Sequence, residues 1–242
     1  MTTISHTIAP VVFRLPLGMR LFNTFMIAMI GVAAVSLTAA TVFLFLYRAP
    51  WELTALATAC ACLVSGLTRY AARDLAGKWR LRVVLEPQTL VLDLPPGRSL
   101  IHSPPEQHER IAYTDIAAIE TRLEAYSKAG MGNMQRAYVL HRTNGQLIFL
   151  FEDRALGTPY ETSFFPKLAR DIAARAGVPL RDLGMDEGKL GILGVWGAHA
   201  PDWSSPALSA ERQAKLWRAA ARTMALPVPI FTLALLYRLW SG

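Results

Sequence analysis

The sequence predicts an α+β membrane protein with an N-terminal transmembrane helical hairpin, an antiparallel β-barrel or sheet closed by an α-helix, and a short C-terminal membrane helix. Two long uncharged segments near the start predict the hairpin. Alternating apolar and polar residues in the middle predict strands, and a shorter apolar segment near the end predicts the last helix. The 242 residues are 52% hydrophobic and only 18% charged, against ~25% charged in soluble domains. We therefore attribute the net charge of +7 to membrane topology and anionic headgroups rather than to nucleic-acid binding.

The hairpin is predicted at residues 21–70. Residues 21–47 and 53–68 contain no charged side chain, and an apolar run of ~18 or more residues can cross the bilayer as a helix. The connection at 48–52 is too short for anything but a tight return. The first run is longer than the ~7–15 apolar residues of a signal peptide, so we expect an uncleaved anchor.

Basic residues predict the orientation of the hairpin, because cytoplasmic flanks are enriched in lysine and arginine. The connecting turn contains only Arg48, whereas the two outer flanks contain Arg14, Arg20, Arg69, Arg73, Lys78, Arg80 and Arg82. This distribution predicts a multi-pass membrane protein with residues 1–20 and the main domain in the cytoplasm. The aromatic residues expected at the membrane interfaces are Tyr47, Trp51, Trp217 and Trp240.

The two cysteines, Cys60 and Cys62, both lie in the second apolar run. Helical positions two apart point ~200° away from each other, so the pair cannot face a common metal ion. We expect reduced packing residues without a disulfide bond.

In the middle of the chain, apolar and polar residues alternate with a period of two, which is typical of β-strands. Residues 81–85 and 90–94 predict two strands, the proline-containing stretch 95–110 predicts a loop, and alternation around 119–124 predicts another strand. Asn144-Gly145 predicts a type I′ hairpin turn, with the cross-strand pairs Arg142–Leu147, Leu140–Phe149 and Tyr138–Phe151. An amphipathic helix is predicted over 164–176, with Gly177 after its last residue.

Three stretches together carry a family resemblance: "RIAYTDIAAIETR", "YVLHRTNGQLIFLFED" and "FPKLARDIAARAGVPL". Following two membrane helices, they make residues 79–180 similar to the bacterial pleckstrin-homology-like (PH-like) membrane proteins. The resemblance implies a PH-like barrel below a membrane anchor and a role as a scaffold or interaction module. The chain departs from the family pattern in the insertion at 95–109 and in the tail from Asp182 onward.

No catalytic residue, metal ligand or cofactor is predicted. The nucleophile-elbow, zinc-protease, Cys-x-x-Cys, P-loop and dinucleotide-binding motifs do not occur in the sequence. His102 and His108 lie close together with Glu106 and Glu109, and we interpret this stretch as a solvated loop rather than a metal site.

Near the C-terminus, a helix over about 208–225 places basic residues within roughly a 120° arc. Those residues are Arg212, Lys215, Arg218 and Arg222, and they suit anionic lipid headgroups. The alternative is that they only orient the last apolar segment, Met224 to Tyr237. That segment is short, so it either crosses the membrane tilted or lies in the interface.

Three further residues are candidates for contact with a protein partner. Met131 and Met134 are expected near a flexible loop between strands, and Trp196 lies in the glycine-rich connecting segment 181–207. The alternatives are an ordinary strand connection and packing of this segment on its own domain.

The leading hypothesis is a non-enzymatic, membrane-anchored scaffold or adaptor that binds a membrane or cytoplasmic protein partner. The alternative is a lipid-sensing surface formed by the PH-like domain and the basic helix within 208–242. Neither hypothesis needs a cofactor, a nucleic acid or a small-molecule substrate. A transporter is disfavoured because the apolar runs contain no charges, and an enzyme because the sequence offers no nucleophile–base or metal constellation.

Overall fold

The computed structural model describes residues 9–99, 101–102, 104–128, 131–154, 164–191 and 198–225. The described residues divide into two compact units. The first comprises residues within 1–87, 91–98 and 103–110, and the second those within 88–90, 99–102 and 111–242. We describe the two units in turn.

Two long helices dominate the first unit, α1 (Leu17–Leu46) and α2 (Trp51–Arg80). Both are long and apolar enough to cross a membrane, and only 6% of the most apolar window of each is buried. A core helix of a soluble protein would be mostly buried, so this exposed apolar surface indicates membrane association. The helices pack along each other, and the Trp79 indole N–H donates a hydrogen bond of 3.2 Å to the Thr24 hydroxyl.

Helix α2 continues beyond the predicted uncharged run as far as Arg80. At 1.5 Å per residue, a helix of 30 residues is about 45 Å long. This length exceeds the ~30 Å hydrocarbon thickness of a bilayer by about 15 Å. The cysteines in this helix are free, as expected.

A four-stranded sheet in the order β1-β2-β3-β4 accompanies these helices. Its strands are β1 (Val11–Phe13), β2 (Arg82–Leu85), β3 (Thr89–Leu94) and β4 (Gln107–Ala112). The two predicted strands at β2 and β3 are confirmed. Strand β1 was not predicted, and β4 begins inside the stretch assigned to a loop.

The proline-containing loop before β4 is ordered around one buried arginine. The Arg98 guanidinium donates hydrogen bonds to the carbonyls of Pro95 (2.9 Å) and Pro105 (2.7 Å) and to Gln107 Oε1 (3.2 Å). One side chain thus donates hydrogen bonds to carbonyl groups at both ends of the loop. The prolines of the loop have no backbone N–H group and cannot supply such donors themselves.

The second unit is built on a four-stranded sheet in the order β7-β6-β5-β8. Its strands are β5 (Ile116–Lys128), β6 (Met131–Arg142), β7 (Leu147–Asp153) and β8 (Leu180–Gly188), and its helices are α3 (Phe164–Ala176) and α4 (Ala210–Ala225). A short 3₁₀ turn, Tyr113–Asp115, precedes β5. The predicted helix at 164–176 is confirmed, and Gly177 has the positive φ (65°) expected after its last residue.

The expectation of a closed antiparallel barrel is wrong for the described residues. They form two four-stranded sheets, and β8 pairs with β5 in parallel. The glycine-rich segment therefore contributes a strand, because α3 carries the chain back so that β8 runs in the same direction as β5. The predicted C-terminal membrane helix, 224–237, falls almost wholly outside the described residues.

The Asn144-Gly145 turn forms a hairpin, but not a type I′ turn. Only Gly145 has positive φ (85°), and the Arg142 N–H donates to the Gln146 carbonyl, which gives a three-residue loop. This loop needs positive φ at one residue instead of two. The pairing near the turn is therefore shifted by one residue, as in Leu140–Ile148, and a bulge after Tyr138 restores the predicted Tyr138–Phe151 pair.

Helices α3 and α4 pack on the same face of the second sheet. Phe165 of α3 stacks on Phe151 at 4.7 Å between ring centroids. Leu216 of α4 lies in an apolar cluster with Leu123 and Met134, among others. Because alternate residues of a strand share a face, these contacts define the apolar face of the sheet.

We predict that Leu216→Ala destabilises the second unit by about 2–5 kcal/mol, the usual cost of removing a buried leucine side chain. Chemical denaturation of the full-length protein in neutral detergent measures this loss. Lys215→Ala, one residue away and exposed, should change stability by less than about 0.5 kcal/mol. Equal effects of the two variants would contradict the packing of α4 described above.

Candidate functional site

The largest concentration of buried polar side chains lies on the other face of the second sheet. Arg122, Glu124 and Tyr126 occupy alternate positions of β5 and therefore point to one side. Arg122 is 2% exposed and Glu124 is fully buried. Ionised side chains are almost never buried unless they are paired, so the partners of these groups decide what the cluster can do.

Glu124 accepts hydrogen bonds from four side chains. His102 Nε2 lies 3.0 Å from both carboxylate oxygens, and Arg122 donates from Nε at 3.0 Å and from Nη2 at 2.9 Å. The Tyr126 hydroxyl donates at 2.7 Å, and Gln135 Nε2 donates at 3.1 Å from the neighbouring strand. We call these five residues the Glu124 network.

Arg122 connects the network to a distant segment of the chain. Its Nη1 donates to the Asp202 carbonyl at 2.6 Å, and its Nη2 donates to the Pro201 carbonyl. The Trp203 ring covers the guanidinium, 4.0 Å from its central carbon to the ring centroid, in the arrangement that favours a cation over an aromatic face. The network thereby holds residues 201–203 on the sheet.

A second buried carboxylate, Glu152, fixes the segment that supplies His102. The Ser99 hydroxyl donates to Glu152 at 2.5 Å and accepts the backbone N–H groups of Ile101 and His102. Glu152 also pairs with Arg154. The His102 ring stacks on Phe149, with 4.2 Å between centroids, so its orientation is set on both sides.

The electrostatics of the network favour an ionised Glu124. Burial alone raises the pKa of Glu124, but hydrogen bonds from His102 and Tyr126 and the charge of Arg122 outweigh it. The net pKa is therefore below the ordinary value. Burial and the neighbouring Glu124 carboxylate raise the pKa of the Tyr126 hydroxyl, which stays a proton donor.

The Glu124 network combines a histidine and a carboxylate, but its geometry is that of a structural clamp. Four side chains already occupy the lone pairs of Glu124, and the nearby Ser99 hydroxyl donates to Glu152 rather than to the His102 ring. Nucleophilic catalysis needs a hydroxyl or thiol within reach of the base. The clamp instead ties His102 and residues 201–203 to β5.

The histidine-containing stretch is not the solvated loop that was predicted, because His102 is largely buried and His108, although exposed, lies in strand β4. The His102 side chain is only 13% exposed, because it bonds Glu124, whereas the His108 side chain is 60% exposed beside Asp93 and Glu106. Within the described ranges, no group of three or more histidine, cysteine, aspartate or glutamate residues is placed to hold a metal ion.

The basic residues of α4 divide into two groups. Arg212 forms a bidentate pair with Glu187 of β8, at 2.8 and 2.7 Å. Lys215, Arg218 and Arg222 are exposed. Trp217, beside them on the helix, is 43% exposed. The predicted basic surface therefore contains three exposed cations that form no ion pair with the residues the structure describes, and one, Arg212, that is bound internally.

Of the three candidate partner-binding residues, the structure describes the side chain of Met134 alone. Met134 is buried (4% exposed) against α4, which excludes it from a docking surface in this conformation. Met131 starts β6, but its side chain lies outside the described part of the structure, as do Trp196 and Trp240. Tyr47 and Trp51, by contrast, are 71% and 75% exposed at the turn between α1 and α2.

Comparison with known proteins gives no match: neither a family model, nor a curated protein, nor a solved structure is similar to this chain. The resemblance to the PH-like membrane proteins thus stays a prediction.

We predict that Glu124→Gln destabilises the second unit by about 3–5 kcal/mol, because it leaves the Arg122 charge buried without its counter-ion. Denaturation of the full-length protein in neutral detergent measures the effect. Glu211→Gln, at an exposed position of α4, is the control and should be nearly neutral. A loss below about 1 kcal/mol for Glu124→Gln would show that the network is not needed for stability.

The Glu124 carboxylate makes the free energy of unfolding depend on pH. Because the pKa of Glu124 is lower in the folded protein, its contribution is fully present above the ordinary carboxyl pKa of about 4.3 and is lost as the pH falls through the folded value. The free energy of unfolding of the wild type should therefore fall more steeply with acid than that of Glu124→Gln. Parallel pH profiles would contradict this linkage.

Proposed function

We propose that this chain is a non-enzymatic, membrane-anchored protein whose helix α4 binds anionic lipid headgroups. One observation carries the proposal: α4 packs on the sheet with one face and leaves Lys215, Arg218 and Arg222 exposed on the other. In the sequence, this helix runs directly into the apolar segment 224–237. A basic helical face next to an apolar segment is typical of helices that lie at a membrane surface.

The expected free energy of binding between α4 and anionic lipid suits a domain that is already tethered to the membrane. Each basic residue near an anionic membrane surface contributes about 1 kcal/mol, so three contribute about 3 kcal/mol. That is too little to anchor a soluble protein permanently. It is enough to decide whether a domain held nearby by a helical hairpin rests on the membrane or moves away from it.

The cellular setting is part of the proposal. The excess of lysine and arginine outside the 48–52 turn supports a main domain in the cytoplasm, and the resemblance to the bacterial PH-like membrane proteins supports the bacterial inner (cell) membrane. The cytoplasmic leaflet carries the anionic lipids that α4 would contact.

A scaffold or adaptor role toward a protein partner stays a prediction. Of the three residues named for it, Met134 is buried, and the side chains of Met131 and Trp196 fall outside the described residues. The non-enzymatic assignment is supported by the Glu124 network, whose hydrogen-bonding groups bind each other.

The test compares full-length protein in nanodiscs of phosphatidylcholine alone and with added phosphatidylglycerol. Ala221→Cys, at an exposed position of α4, carries an environment-sensitive fluorophore in a Cys60→Ala, Cys62→Ala background. We expect anionic lipid to shield the fluorophore from acrylamide, a neutral aqueous quencher.

The double variant Lys215→Gln, Arg218→Gln should lose about 2 kcal/mol of this interaction, or about 30-fold in the ratio of shielded to open states. Lys167→Gln, Lys189→Gln is the control, since it removes two positive charges from exposed positions of the second unit outside α4. Equal shielding in both lipids, or an equal loss in the control, would overturn the proposal and leave the protein-partner hypothesis.

A further inference from the structure

A small pocket of about 300 Å³ lies between α3 and the apolar face of the second sheet. Its floor is a row across three neighbouring strands, because Thr121 of β5 pairs with Tyr138 of β6 on one side and with Asp182 of β8 on the other. One turn of α3 supplies the roof through Pro166 and Arg170. The volume is at the lower end of the range for small-molecule sites.

Two arginines line this pocket. Arg136 Nη1 donates to Asp182 Oδ2 at 2.9 Å. Asp182 is itself held by the Gly184 N–H, 2.9 Å from Oδ1, where Gly184 (φ 80°) lies at the irregularity in β8. Asp182 therefore uses both oxygens within the protein and orients Arg136.

Arg170 is exposed and forms no hydrogen bond or ion pair with any residue that the structure describes. Arg136 uses only one of its three guanidinium nitrogens in the contacts among these residues. The pocket thus contains two guanidinium groups and one lining carboxylate whose oxygens are already engaged. Guanidinium groups with free N–H donors are suited to the oxygens of carboxylates and phosphates.

We propose that this pocket binds a small molecule through a carboxylate or phosphate group held between Arg136 and Arg170. The ring of Pro166 and the side chain of Leu180 line the same pocket and would contact an apolar part of the ligand. The site is separate from the exposed face of α4, so it does not depend on the lipid-binding proposal.

The test uses full-length protein in neutral detergent, titrated calorimetrically with phenyl phosphate, inorganic phosphate and succinate at constant ionic strength. We expect at least one of these anions to bind, and phenyl phosphate to bind more tightly than inorganic phosphate because of Pro166 and Leu180. Arg170→Gln should weaken binding on the order of tenfold to hundredfold, as expected for a lost hydrogen bond to a charged group.

Lys167→Gln is the matched control, since it removes a positive charge from the same helix at an exposed position that does not line the pocket. It should bind the anion like the wild type. Absence of binding by all three anions, or equal weakening by Lys167→Gln and Arg170→Gln, would overturn the proposal.

A competition experiment distinguishes a lipid headgroup from a soluble anion as the natural ligand of the pocket. Phosphatidic acid in nanodiscs competes with phenyl phosphate if the natural ligand is a lipid headgroup, and does not compete if it is a soluble anion. Either result supports the anion site. Loss of competition with Arg170→Gln, but not with Lys215→Gln, assigns the effect to this pocket rather than to α4.

Discussion

The burial of one ion pair constrains most of the second unit. Arg122 and Glu124 lie on a sheet face where water cannot reach them, and desolvation of an ionised group costs several kcal/mol unless its partners compensate. Compensation comes from three separate parts of the chain: His102 before the sheet, Gln135 on the next strand, and the carbonyls of residues 201–202. Each of these segments is consequently held in one position relative to β5.

The two faces of the second sheet therefore differ in the side chains they carry. One face carries the Glu124 network, whose charged groups pair with each other and with the carbonyls of residues 201–202. The other face carries α3, α4 and an open pocket in which donors remain free. Groups available for an external ligand are thus found on the apolar face and on the outer surface of α4, and the most buried charges are used for the fold.

The sequence predicted those features that depend on neighbours along the chain. Hydropathy located α1 and α2, the period of 3.6 located α3, and Asn144-Gly145 located a hairpin. Features that depend on distant segments escaped prediction. The alternation of Arg122 and Glu124 with apolar residues indicates a strand with a polar face. Only the fold shows that His102 and residues 201–203 contact that face. Likewise, β8 reads as a glycine-rich connection because its pairing with β5 is not local, and the basic residues of α4 gave no sign that Arg212 would be bound by Glu187.

The parallel pairing of β8 with β5 has a consequence for the order of assembly during synthesis. The hairpin of α1 and α2 is complete before the second sheet has been translated, whereas β5 must wait for α3 and β8 to emerge before its outer edge is paired. The carbonyls that accept from Arg122 follow later still. A chain that ends before β8 therefore has one edge of β5 unpaired, and contacts between distant segments form slowly. An unpaired strand edge favours aggregation, so truncation before residue 188 should cost the second unit more than the loss of β8 alone.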